Sequence, residues 1–76
     1  MSYLQEYRKR RELSQSGLAE KSGVSIRNIQ FYEQEKMNID GARISTLLAL
    51  ATALGCRISD IIQDDELKKS LAERGY

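Results

Sequence analysis

The stretch QSGLAEKSGVSIRNIQFYE, Gln15 to Glu33, decides the fold of this chain. It reads as two short helices joined by a tight turn, with small or apolar residues where such helices must touch. Leu18, Ala19, Val24 and Ile29 are spaced to face one core. Gly23 falls where the first helix must stop, and a residue with a Cβ there would need a left-handed backbone costing about 1 kcal/mol or more. Ser25 stands where a hydroxyl caps the next helix by accepting from an orphaned backbone N–H. From Ile26 to Gln34 the outward positions carry Arg27, Asn28, Gln30 and Gln34, side chains able to meet base edges or phosphates. The spacing predicts a helix-turn-helix with DNA as its ligand.

Working outward, the N-terminal flank predicts a helix over residues 2–11, with Leu4 and Tyr7 inward at i, i+3 spacing and the basic run Arg8, Lys9, Arg10, Arg11 mostly outward. Leu13 bridges to Ser14, which caps the second helix, residues 15–22; Gly17 inside it costs about 1 kcal/mol against alanine. The third helix spans residues 26–34. Asn38, Asp40 and Gly41 then signal a loop, in which Ile39 is the apolar residue available to pin the segment onto the core. Leu47, Leu50, Ala51 and Leu54 form an i, i+3, i+4, i+7 stripe that predicts a fourth helix over 43–54, ended by Gly55. Ser59 is expected to cap a short fifth helix through Asp60, Ile61 and Ile62. From Asp65 the tail has Leu67 and Leu71 one turn apart among charged residues, and is either a sixth helix needing a partner surface or a fraying end.

Composition sets the outer bounds. The 76 residues allow one small domain, with 41 % apolar and 30 % charged residues, an ordinary globular balance. Proline is absent, which suits an all-α chain. No stretch approaches the roughly 18–20 apolar residues of a membrane span, and no signal-peptide pattern is seen. A single cysteine excludes an intrachain disulfide, so a reducing cytoplasm is the expected home. With no histidine and no ligand set at a metal-binding spacing, neither catalysis, a metal nor a cofactor is expected. Net charge is only +1. Residues 1–36 carry seven Lys/Arg against five Asp/Glu, whereas 37–76 carry five against six. Charge permits DNA binding without arguing for it.

Taken together, LSQSGLAEKSGVSIRNIQFYE, TLLALATALGC-ISDII and the Tyr7-Arg8 pair of the first helix resemble the lambda-repressor and Cro-type helix-turn-helix family, the XRE-type regulators, over roughly residues 3–63. The ordered set LSQ, LAEKSGVS, IxxYE and TLxxLAxALG carries the likeness. It implies an all-α, compact five-helix DNA-binding domain over 1–63, followed by a polar tail over 64–76. It also implies that the third helix enters the major groove, and that the protein is a transcriptional regulator, a repressor in the usual case, acting as a homodimer at least on DNA. By the same resemblance, Gln15 lies near the phosphate backbone. Ser25, Ile26, Arg27, Gln30 and Phe31 match positions that contact bases or phosphates, and Lys36 matches a loop position that meets phosphate. Arg8 is read either as a phosphate contact or as the internal partner of Glu33, the latter favoured by its family position.

Three departures stand out. Glu35 replaces the glycine common two residues after the Tyr-Glu pair. Ile26 and Phe31 are apolar where family members are often polar, so part of any readout would be van der Waals contact with thymine methyls. The loop from Gln34 to Arg43 is longer than in compact repressors. These departures support an alternative: a protein-interaction or antitoxin-like module on the same scaffold, with Ile26 and Phe31 as its contact surface. Tyr32 is read as core and Cys56 as a buried small hydrophobe rather than a redox sensor. Leu67, Leu71 and Leu48 are the exposed apolar candidates for a dimer contact, Leu48 with Ile44 facing either the loop or a second subunit.

Overall fold

A computed structural model describes residues 2–76. Helix α1, Tyr3–Arg10, starts at Ser2, whose Oγ accepts from the Gln5 N–H at 3.1 Å. It buries Leu4 and closes where Glu12 turns left-handed at φ +58°. Helix α2, Gln15–Ser22, is capped by Ser14, which accepts from the Gly17 N–H, and stops at Gly23 with φ +77°. Helix α3, Ile26–Glu33, begins at Ser25, whose Oγ accepts from the Asn28 N–H. It stops one residue short of the expected end.

The segment read as pure loop contains a single 3-10 turn, Ile39–Gly41, and Ile39 is buried as anticipated. Helix α4, Ile44–Leu54, turns Leu47, Leu50, Ala51 and Leu54 into the core and ends at Gly55. Helix α5 is Ile58–Ile61, followed by α6, Asp65–Glu73. Among the described residues there is no strand. Helix α2 packs on α3 and α4, α1 on α3 and α5, and α5 on α4 and α6. The core is contiguous, with Leu4, Leu18, Ile29, Leu50, Leu54, Ile61 and Ile62 almost fully enclosed.

Two expectations need correction. Ser59 does not cap α5. The cap position is Arg57, whose N–H donates to Asp60 Oδ2 at 2.8 Å, while Ser59 lies inside the helix and is buried. Asp60, three residues into the turn, reaches back to the cap residue's own N–H, the part that an acid at this position plays in a capping box. The basic run on α1 is also not a free positive strip. Arg8 is buried, and the Arg11 Nε donates to the Leu54 carbonyl at 2.7 Å, satisfying the end of α4. Arg10 lies over the Tyr7 ring at 4.9 Å, and of the four Lys9 is the exposed cation whose side chain makes no hydrogen bond, ion pair or ring contact among the described residues.

The tail is ordered against the body. Asp64 caps α6 by accepting from the Leu67 N–H at 3.0 Å. Leu71 packs on the core, the Tyr76 carbonyl accepts from the Ser59 N–H at 2.8 Å, and Lys68 Nζ donates to the Ser59 carbonyl at 2.6 Å while standing over the Tyr3 ring. A radius of gyration of 11.2 Å agrees with the roughly 11 Å expected for a compact chain of this length, so α6 folds back rather than projecting.

Candidate nucleic-acid interface

Helix α3 buries Ile29, Tyr32 and Glu33 and turns its other face out. Ser25, Ile26, Arg27 and Lys36 are exposed; Asn28, Gln30 and Phe31 are half-buried. The Arg27 guanidinium stands 5.4 Å from the Phe31 ring centroid, one helical turn along. Phe31 is therefore neither core nor a bare apolar patch: its ring carries the arginine that stands at the N-terminal end of α3. Among the described residues the Arg8–Glu33 contact is the one ion pair, so Arg27 and Lys36 are not neutralised by carboxylates there.

Behind this face runs a chain of polar contacts from the interior to the surface. Arg8 Nε and Nη2 donate to Glu33 Oε2 and Oε1 at 2.7 and 2.9 Å, a two-pronged pair nearly sealed from solvent. The third arm of Arg8, Nη1, donates to the Leu13 carbonyl at 2.8 Å and ties the α1–α2 connection to the same group. The hydrogen bonds to Glu33 raise the guanidinium pKa further above its ordinary value. Glu33 Oε1 also accepts from Gln15 Nε2 at 3.1 Å, and Gln15 Oε1 accepts from Gln30 Nε2 at 3.3 Å.

The direction of this chain follows from charge. A carboxylate held by Arg8 only accepts, so Gln15 must present its NH₂ to Glu33 and its oxygen to Gln30. Gln30 in turn must spend an N–H on Gln15. Its Oε1 and its second Nε2–H then have no partner among the described residues.

The site residues named from the sequence thus divide. Arg27, Phe31 and Gln30 share one face of α3, Ser25 and Asn28 meet in its N-cap, and Lys36 follows on the loop. Gln15 is drawn inward to Glu33 and Gln30 instead of standing as an isolated side chain. The sequence reading missed Asp40. Its two carboxylate oxygens accept from the backbone N–H groups of Gln63 and Asp64 at 2.8 and 2.9 Å, fastening the long loop to the α5–α6 junction. Gln63 carries the link onward by accepting from the Tyr3 N–H at 2.9 Å. Asp40 carried a turn signal in the sequence, but its partners lie more than twenty residues away, beyond any local pattern. Glu35 adopts a left-handed backbone with φ +59°, the conformation for which glycine is the usual residue.

Among the described residues no group of three or more His, Cys, Asp or Glu is placed to hold a metal ion, and no helix is long and apolar enough to cross a membrane.

A short α2–turn–α3 unit with a polar outer face, set in an all-helical core, defines a helix-turn-helix DNA-binding domain. The chain belongs to the family described as the Cro/C1-type HTH DNA-binding domain, whose sequence profile matches residues 3–66. No curated protein and no solved structure matches the chain.

Proposed function

We propose that this protein is a sequence-specific transcriptional regulator, acting as a repressor by occupying its site, with α3 in the major groove and no catalytic step. The observation that carries the reading is the chain Arg8–Glu33–Gln15–Gln30. A buried ion pair that orients an amide on the outer face of the second motif helix is suited to recognition, because it removes the freedom of that amide to flip. The acceptor and donor left on Gln30 complement N6 and N7 of adenine, and Arg27 complements O6 and N7 of guanine. Lys36 supplies a phosphate contact without regard to sequence. One such helix covers only a few base pairs, so two copies on half-sites about one helical turn apart complete the reading. Work on DNA implies the compartment that holds it, the cytoplasm in a bacterial cell.

The test is selection of bound duplexes from a random pool, by wild type and by Gln30→Ala. The expected result is a two-fold-related site with an adenine preference that Gln30→Ala relaxes by about 1–3 kcal/mol. A pool that shows no enrichment at moderate salt overturns the reading and leaves the interaction module on Ile26 and Phe31 as the account of this surface.

A further inference from the structure

Helix α4 carries an apolar stripe that its own chain uses and, on another side, two large apolar side chains that it does not. Leu47, Leu50, Ala51 and Leu54 fill the core. On another side Ile44, Leu48 and Thr52, each four residues from the next, are all exposed, with Ile44 at 66 % and Leu48 at 58 %. Leu48 is also a ridge between two hollows. One, of about 470 Å³, lies between the end of α2 and α4 and is lined by Lys21, Ser22, Ser45, Ala49, Thr52 and Ala53. The other, of about 180 Å³, is floored by Ala51, Cys56 and Ile58 and edged by Arg57 and Tyr76.

We infer that this face of α4 is the contact by which two copies of the chain pair about a two-fold axis, each Leu48 seating in the hollow beside the other. The inference rests on the proposed pairing of two copies and says which surface makes it. Self-pairing brings a surface against itself, so each charge near the axis meets its own like. Residues 44–54, ISTLLALATAL, contain no charged side chain, so the helix at the centre of the contact is free of that repulsion, and the nearby charges are Lys21 and Arg57, which line the two hollows. Knob and hollow on one patch is the shape an isologous contact requires. Antiparallel crossing at Leu48 places Ile44 of one copy against Thr52 of the other.

The alternative candidates in the tail do not meet these conditions. Leu71 is spent on the core, and Leu67, 38 % exposed, stands between Glu66 and Lys68 on a charged helix. A standard interface takes about 800 Å² from each partner, and one helix face with its rim gives less, so the pair should be reversible with a Kd of about 1–100 µM.

Sedimentation of the full chain over a concentration series tests this. Wild type should pass from monomer to dimer in that range. Leu48→Glu should remain monomeric with unchanged helical circular dichroism, because the side chain it replaces is mostly exposed. On DNA, Leu48→Glu should bind a single half-site as wild type does and lose about tenfold or more on the paired site. Ile44→Lys serves if Leu48→Glu does not fold. A wild-type chain still monomeric at about 1 mM, a dimer that survives both substitutions, or a dimer dispersed by Leu67→Lys instead overturns the assignment. A dimer that forms and dissolves as stated while no duplex binds would leave this interface standing and refute the DNA reading alone.

Discussion

Glu33 does more than any other single residue here. It neutralises Arg8, anchors α1 to the end of α3, and sets the direction of the Gln15–Gln30 amides. Arg8→Ala leaves that carboxylate buried and uncompensated, at a cost of about 3–5 kcal/mol. For 76 residues the whole stability is about 4–11 kcal/mol, so the urea midpoint should fall steeply and the variant should be partly unfolded at 37 °C. Glu35 works in the opposite sense. A glutamate at φ +59° bears left-handed strain of about 1–2 kcal/mol, and its side chain gains in return a long 3.4 Å contact from Gln63 Nε2. Glu35→Gly gives back part of this by loosening the unfolded chain. The expected net gain is about 0.5–1 kcal/mol by urea denaturation, and loss of an anion beside the reading helix should tighten DNA binding. A variant that is less stable and binds no better would show that the Gln63 contact outweighs the strain.

At the scale of the element, α3 and the loop after it divide the labour of binding. Arg27 lies in the first turn of α3, braced on Phe31. Lys36 lies beyond its C-terminus, placed by its own N–H donating to the Phe31 carbonyl at 2.8 Å. Arg27→Ala should relax preference at one symmetric position of the site by about 1–3 kcal/mol, read as a loss of base discrimination in competition binding. Lys36→Ala should weaken all sequences alike and make the dependence of log K on log salt shallower by about one unit. Identical effects of the two substitutions would contradict this division. The helices themselves were legible because their signals are local. Ser14, Ser25 and Gly23 act within four residues of where they stand, and the α4 stripe repeats with the helical period. Ser59 misled because the helix starts one residue before it, at Ile58, so its hydroxyl lies inside α5, and the Asp60 side chain serves the free N–H of Arg57.

For the whole molecule, the joint between α1, α4 and α5 makes stability depend on alkaline pH. Burial, followed by the neighbouring Asp60, pushes the Cys56 thiol from 9.0 to about 11. The same two causes, burial first, raise the Tyr7 phenol above 10.0. Both groups hold their proton more tightly folded than unfolded. Above pH 9 the unfolded chain loses the Cys56 proton first, so its contribution is whole below about 9 and disappears as pH rises towards about 11. Urea midpoints at pH 8, 10 and 11 should fall in that order, less steeply in Cys56→Ala. A flat profile in wild type would refute it.

The first five helices in order, the Ser14 and Ser25 caps, the Gly23 and Gly55 stops and the inward stripes follow from the sequence alone, because hydrophobic period and capping chemistry act between neighbours in the chain. So do the motif that marks the DNA-binding class and the pairing of Arg8 with Glu33, the latter through resemblance. Tertiary structure alone decided which backbone groups the other internal charges meet. Arg11 caps a helix more than forty residues away, Asp40 fastens a loop to the α5–α6 junction, and Lys68 and Tyr76 clasp Ser59 to hold the tail. Composition counts such groups as free surface charge or as local turn signals. Their partners are backbone groups, present at every residue and carrying no mark in the sequence, so only the folded path of the chain selects which ones they meet.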